Sequence, residues 1–248
     1  MRHSGHSVVE KMKKTFLVLA NSIRRGRHCI AGREMFLRDD RWCHGSWVRP
    51  VSQQGEGEVS TNECLLTDGR QPKVLDVVEV PLTGKQNYAC QPENYFIDAS
   101  VRWRRVGAMP KNSLSAIEEK PAHLWLQPGM RTDRIHPDIA VESLVPFQSL
   151  YLIRPVNLRF RIWEADDEFR SGPRKHRRAI FMYAGTEYNL PITDPTMDAR
   201  YFRPFPALNQ PPQEIAPKEP GKVLLVVSLT VPFTDGYHYK VVATVLEY

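Results

Sequence analysis

Apolar and polar positions alternate with a period of two through most of the chain, the mark of half-buried strands. The first run, Thr15-Phe16-Leu17-Val18-Leu19-Ala20, is apolar almost throughout. It predicts a strand over 14–20 with Val18 and Ala20 on one face, Leu17 and Leu19 on the other, and both faces buried. Strands follow over 33–37 and 46–51, separated by a hydrophilic turn at Asp39-Asp40; Pro50 places the latter at an edge or a strand end. Residues 53–72 read as loop, with Thr61-Asn62-Glu63-Cys64 able to open a short helix. Val78 and Val80 alternate with Glu79 in a strand over 73–82. Two short strands follow over 94–98 and 101–106, the second pointing Trp103 away from Arg102 and Arg104.

The pattern breaks at 110–125. Ser113 as N-cap, with Leu114 and Ile117 three apart, predicts one helix ending before Pro121. Residues 126–147 hold Pro128-Gly129, His136-Pro137 and Pro146 and read as a connector. Period two then returns over 149–156 and 157–164, the latter with Leu158, Phe160 and Ile162 opposite Arg159, Arg161 and Trp163. Strands over 178–184 and 186–190 meet at Ala184-Gly185, a hairpin signature. Strands over 222–231 and 239–246 meet at Thr234-Asp235-Gly236. The proline-rich stretch 203–220 reads as a surface loop. The predicted fold is mainly β, with a tail (1–13), a first module (14–110), a short helix and connector (111–147) and a second module (148–248). Trp47-Val48-Arg49-Pro50-Val51-Ser52 is echoed by Leu152-Ile153-Arg154-Pro155-Val156-Asn157, which supports a duplicated architecture.

Composition adds a charge argument. The chain of 248 residues has a net charge of +6, which favours polyanion partners. Residues 1–124 carry 19 Lys+Arg against 14 Asp+Glu, or +5, whereas residues 125–248 carry 15 against 14, or +1. The electrostatic footprint is therefore expected on the first half. The four cysteines, Cys29, Cys43, Cys64 and Cys90, match no common zinc spacing and read as reduced, packed thiols. Lys11-Met12-Lys13-Lys14 before Phe16–Ala20 imitates a signal peptide, but Asn21, Ser22 and three arginines cut the apolar run short. No stretch reaches the roughly 18 apolar residues of a membrane span. A soluble cytoplasmic protein without membrane contact is expected.

No phosphate-binding glycine motif, nucleophile elbow or zinc-protease motif is present, and no cofactor is expected. Arg24-Arg25-Gly26-Arg27 follows the first strand directly, with Arg33 and Arg49 flanking the same region. Arginine forks suit phosphate, and glycine allows close backbone approach. Trp47 serves there either as a face for a stacked base or as core. Arg154, at the matching position of the echo, and Lys240 join the candidates. In Tyr237-His238-Tyr239-Lys240, alternation separates the tyrosines from His238 and Lys240, and the tyrosine pair is expected to face the core. Asp166-Asp167-Glu168 facing Arg174–Arg178 reads as solvated charge runs. Cys29 beside His28 and Arg33 is a candidate activated thiol, and Asn21, Ser22, Asp76 and Asp194 are its possible neighbours in an enzyme reading.

Leu19-Ala20-Asn21-Ser22, Cys29-Ile30-Ala31-Gly32-Arg33 and Trp47-Val48-Arg49-Pro50-Val51-Ser52 resemble the bacterial dual OB-containing domain family. The resemblance continues through Leu75-Asp76-Val77-Val78, Asn94-Tyr95, Ile153-Arg154-Pro155, Thr193-Asp194-Pro195, Ser228-Leu229 and Tyr239-Lys240-Val241-Val242. It spans about residues 14–245. It implies two OB-like β-barrels in tandem, a nucleic-acid-binding role in bacterial conflict or phage defence, and no established catalysis. The expected partner is single-stranded DNA or RNA, bound by module one through Arg24, Arg25, Arg27, Arg33, Arg49 and Trp47, with module two scaffolding a partner. The rival readings are a protein–protein adaptor in a defence complex and an enzyme acting on nucleotides.

Overall fold

The computed structural model describes residues 12–24, 26–39, 41–126, 130–139, 147–166, 172–208 and 210–248. Most of the expected tail, as well as Arg25, Asp40, Asp167, Glu168 and parts of the connector, lie outside them.

The first apolar run forms the middle of β1 (Met12–Arg24). Polar Asn21 to Arg24 extend the strand because they pair with β2 (Arg27–Arg38), register Asn21–Ile30 through Arg24–Arg27. The chain reverses at Gly26, whose φ of 76° suits glycine. β3 (Arg41–Val51) pairs antiparallel with β2 and parallel with β5 (Asn94–Ile97). β4 (Asp76–Lys85) pairs with β5 and returns to β1, closing a five-stranded barrel in the order β1-β2-β3-β5-β4. β6 (Arg104–Ala108) adds to the free side of β4. This is the Greek-key barrel of the OB fold. Gly32 is needed where β2 crosses β1, because a Cβ there would lie 1.7 Å from the Leu17 carbonyl oxygen.

The expected helix is a 3-10 helix at Lys111–Ile117, capped by Pro110 without a side-chain hydrogen bond. Ser113 lies inside it and is not the cap; Leu114 and Ile117 are buried as the spacing required. Thr61–Cys64 forms turns and no helix. A two-residue strand, β7 (Arg134–Ile135), follows in the connector.

In the second half, β8 (Leu150–Ile153) and β9 (Val156–Asp166) flank Arg154-Pro155. β9 pairs with β10 (Pro173–Tyr183), and β10 with β11 (Thr186–Pro191) through the Ala184-Gly185 turn. A single helical turn, α1 (Met197–Arg200), and an edge strand, β12 (Gln213–Ile215), follow. β12 pairs with β9, so the proline-rich stretch also supplies a strand. β13 (Val223–Leu229) pairs with β8 and with β14 (His238–Glu247), which also pairs with β7. A parallel bridge, Ile192–Val242, joins β11 to β14. The two four-stranded sheets thus meet in the same strand order as barrel one, with β8 and β9 together in the place of β1.

Three apolar clusters follow from period two. Phe16, Val18, Ile30, Val78 and Trp103 fill barrel one. Phe160, Ile162, Phe181, Tyr188 and Leu225 fill barrel two. Leu17, Leu19 and Trp47 meet Leu150, Leu152, Leu224 and Val226 in a seam between the barrels. Ala20 belongs to the seam with Leu17 and Leu19, not with Val18, because a bulge between Val18 and Ala20 shifts the alternation by one residue. The hexapeptide echo is not a structural repeat: Trp47–Ser52 covers the end of the third strand of barrel one, whereas Leu152–Asn157 spans the bend in the first strand of barrel two. All four cysteines are free thiols, and no described helix is long and apolar enough to cross a membrane.

Candidate nucleic-acid interface

The arginines of barrel one do not form an open basic surface. Arg24 donates to Glu58 Oε1 at 2.8 Å, approaches Glu56 Oε2 at 3.0 Å and stacks on the Phe233 ring at 5.4 Å. Arg27 donates to the Glu58 carbonyl at 3.0 Å and to Glu63 at 3.1 Å. Arg33 donates to the Gly45 carbonyl at 2.7 Å and pairs with Glu119 at 2.9 Å. Arg49 pairs with Glu93 at 2.9 Å and reaches the hydroxyls of Ser149 at 2.8 Å and Ser228 at 3.3 Å, bridging the barrels. Arg154 grips Glu118 through Nε at 3.0 Å and Nη2 at 2.7 Å. The carboxylates that neutralise this set come from the loop 53–72, the β5 approach and the segment after the 3-10 helix, all remote in sequence from the arginines.

The two other expected contacts lie inside the protein. Trp47 is 3% exposed, and its indole N–H donates to Glu119 Oε2 at 3.0 Å. Its core role holds, and the stacking face is closed to a base. Lys240 is fully buried, 5.8 Å above the Tyr188 ring, and burial pulls its ammonium down to about 8. The alternation of 237–240 is inverted relative to expectation: His238 and Lys240 point inward, and Tyr237 and Tyr239 point outward beneath the Arg134 guanidinium at 5.6 and 5.0 Å.

The charge runs around Asp166 and Arg174 belong to a built surface. β9 and β10 pair in a register that sets Trp163 opposite His176, Arg161 opposite Arg178 and Arg159 opposite Ile180. Directly opposite residues share a face. Leu158, Phe160 and Ile162 fill the inner face, so this is the outer one. The Trp163 and His176 rings stack at 4.6 Å and 5°. The Arg161 guanidinium lies 5.9 Å over the indole, and Arg178 donates to Asn189 Oδ1 at 2.6 Å. Neither arginine makes an ion pair among the described residues. Arg159 is loosely paired, to Glu214 at 3.4 Å and Glu187 at 3.5 Å. A shallow hollow is bounded by Arg131, Asp133, Arg178 and Asn189, and Asp133 also accepts from Arg134 at 2.8 Å. Burial, and secondarily Arg134, lower the Arg178 pKa from its usual range, while Asp133 opposes them.

A second feature is the tip of the β2–β3 hairpin. Phe36, Leu37 and Trp42 are 44%, 62% and 57% exposed there, on either side of the Arg38–Arg41 pair.

The groups named for catalysis are engaged elsewhere. Burial pushes the Cys29 thiol up, opposite to an activated thiolate. Asn21 bonds to His28 Nδ1 at 2.8 Å and to the Pro72 carbonyl at 3.0 Å. Asp76 holds Arg105 at 2.6 Å, and Asp194 accepts the Thr196 and Val245 N–H groups at 2.9 and 3.0 Å.

Two barrels of one strand order, joined by a buried seam, are what a tandem OB architecture requires, and the family model of the dual OB-containing domain matches residues 14–245. The chain belongs to that family. No curated protein and no solved structure matches it. For a dual OB domain, the outer face of the second and third strands, with the loops after the first and fourth, is the place where oligonucleotides or oligosaccharides bind. In barrel two those strands are β10 and β11; His176 and Arg178 lie on β10, and Arg161 and Trp163 on the adjoining β9.

Proposed function

We propose that this dual OB domain is a non-catalytic binder of single-stranded DNA or RNA, acting through the arginine-rich paired strands β9 and β10. The observation that carries this is the stacked Trp163–His176 pair framed by Arg161 and Arg178 on the outer face of barrel two. Aromatic faces accept stacked bases of any sequence, and guanidinium groups that meet no carboxylate among the described residues are left for phosphates. We place the protein in the cytoplasm of a bacterium, as an accessory component of a conflict or phage-defence system. Fluorescence anisotropy with labelled single strands of roughly 4–16 nucleotides tests this. Binding is expected to weaken linearly on a log–log salt plot. Failure of every DNA and RNA strand to bind at low salt overturns it.

The adaptor reading has an observation of its own. Leu37 and Trp42 pair directly and share one face of the hairpin tip, with Phe36 on the other, all three exposed, and such apolar surface suits a protein subunit of the same complex. Pull-down of neighbouring gene products by the wild type and not by Trp42→Asp supports it; equal capture by both ends it.

A further inference from the structure

A groove of about 910 Å³ opens between the barrels where β1 ends. One wall is Ile23 of β1, residues 70–75 on the approach to β4, and Lys111 at the start of the 3-10 helix. The other is Pro195-Thr196, Arg200 of α1 and the end of β14. Neither the β9–β10 face nor the β2–β3 hairpin tip contributes to it. The second wall is closed by its own charges. Arg200 donates to Glu247 Oε2 at 2.6 Å and to the Val245 carbonyl at 2.9 Å, and Asp194 accepts the Val245 N–H at 3.0 Å. The first wall is open. Lys73 and Lys111 are exposed and make no ion pair among the described residues, so part of the basic excess of the first half stands at this rim.

The same wall presents aliphatic surface. Ile23 is 38% exposed, and Val74 and Leu75 are partly exposed. Leu75 has a φ of 75°, a left-handed conformation uncommon for a bulky side chain. Its N–H donates to the Val18 carbonyl at 2.8 Å and its carbonyl accepts the Met109 N–H at 2.9 Å, so the flanking segments hold it there. Residues held in this way cluster at ligand sites.

Three features set the chemistry of an occupant. Two ammonium groups without carboxylates ask for an anion. Aliphatic surface beside them asks for aliphatic groups on that anion. No face is offered to a nucleobase: among the described residues the only aromatic ring lining the groove is His28, which is 7% exposed and held through Nδ1 to Asn21 at 2.8 Å. The volume lies within the roughly 300–1,000 Å³ of sites that enclose most of a small ligand, room for a short segment of chain. We propose that this groove docks an acidic peptide segment of a partner protein, with an aliphatic side chain on Ile23, Val74 and Leu75 and carboxylates at Lys73 and Lys111.

Fluorescence anisotropy of the full chain with short labelled peptides is the test. The probes alternate leucine, isoleucine or valine with aspartate or glutamate; one control set replaces the aliphatic residues with serine, another the acidic residues with lysine. At least one acidic–aliphatic peptide is expected to saturate with a Kd of about 1 mM or tighter, and to weaken with salt as exposed charge pairs do. Lys73→Glu with Lys111→Glu should weaken it about tenfold and flatten its salt dependence. Ile23→Asp should also weaken it about tenfold. All three side chains are exposed, which keeps the variants folded. Saturation by no acidic–aliphatic peptide overturns the proposal, as do equal binding of the serine controls and binding that both variants leave intact. Single-strand binding should be unchanged in the Lys73–Lys111 variant; its loss there assigns the groove to nucleic acid and overturns the peptide assignment. The peptides carry no phosphate, so their failure leaves the oligonucleotide titration to be judged by itself.

Discussion

The two barrels share a strand order and differ in what they do with arginine. In barrel one Arg24, Arg27, Arg33 and Arg49 each meet a carboxylate, and Arg49 reaches across the seam to Ser149 and Ser228. In barrel two Arg161 and Arg178 stand on an outer sheet face beside a stacked indole and imidazole, with no ion pair among the described residues. Yet the formal excess is +5 in the first half of the chain and +1 in the second. Counting charges by segment does not locate the excess: the carboxylates that hold Arg24, Arg27, Arg33 and Arg49 lie within residues 1–124 and are already counted in the +5, so that excess sits on other residues of the first half.

If barrel one uses its arginines as struts, removing one should cost stability before it costs binding. Arg49→Ala carries the largest effect. It strands Glu93, which is 6% exposed, without its cation. Removing one partner of a buried pair costs about 3–5 kcal/mol. Urea unfolding of the variant should show that loss, and a loss below about 1 kcal/mol would remove the structural half of the comparison.

Barrel two has a buried cation of the opposite kind. Lys240 is fully buried, its Nζ has no hydrogen-bond partner among the described residues, and its pKa falls from 10.5 to about 8 through burial, with Asp133 opposing. Below pH 8 both the folded and unfolded states hold the proton, and the folded state bears the full cost of a buried ammonium. Between about 8 and 10.5 the folded state releases the proton first, so stability rises with pH over that window. Lys240→Met should be more stable than wild type at pH 7 by about 3 kcal/mol, and the difference should shrink towards zero above the window. Paired unfolding curves across that range, compared by difference, isolate Lys240 from the tyrosines and cysteines that titrate nearby.

The contrast also explains what could be read from the sequence. Leu158, Phe160 and Ile162 announce the inner face of β9, and Ala184-Gly185 announces a turn whose φ values of 47° and 78° require it. Phe16 and Val18 announce the interior of barrel one. Local pattern cannot report a bulge, which is why Ala20 changes sides. Nor can it report partners far along the chain. Arg49 and Arg154 share an echoed hexapeptide and a fate, pairing with Glu93 and Glu118, but Arg49 lies on β3 and Arg154 in the bend between β8 and β9. The outward position of Arg159, Arg161 and Trp163 is legible. The stack of Trp163 on His176 is not, because it depends on a register set across the turn.

On the outer face of barrel two the expected losses are in affinity. Arg161→Ala with Arg178→Ala should weaken single-strand binding roughly 30-fold and lower the salt slope by about two, since each phosphate contact contributes about one. Trp163→Ala should weaken binding about tenfold, the scale of one stacked base, and leave the salt slope unchanged. A change in slope with Trp163→Ala would mean that the indole positions Arg161 rather than a base, since the two lie 5.9 Å apart.

The smallest expected effect tests the comparison most directly. Arg27 is the most exposed of Arg24, Arg27, Arg33 and Arg49, at 31% of its side chain, and sits in the cluster that the sequence favours for phosphate. Its guanidinium is bound to Glu63, which Ser52 and the Ser60 N–H also hold, at 2.6 and 2.7 Å. These hydrogen bonds, with Arg27, keep the Glu63 carboxyl below its usual range against the opposing effect of burial. A phosphate would have to displace a carboxylate that is already oriented and charged, so it gains little from the exchange. Arg27→Ala should therefore change oligonucleotide affinity by less than about twofold, with the salt slope intact, and cost up to about 1 kcal/mol of stability. If it instead lowers the slope as each arginine of β9–β10 does, the carboxylates of barrel one yield to nucleic acid, and the two barrels form one continuous binding surface.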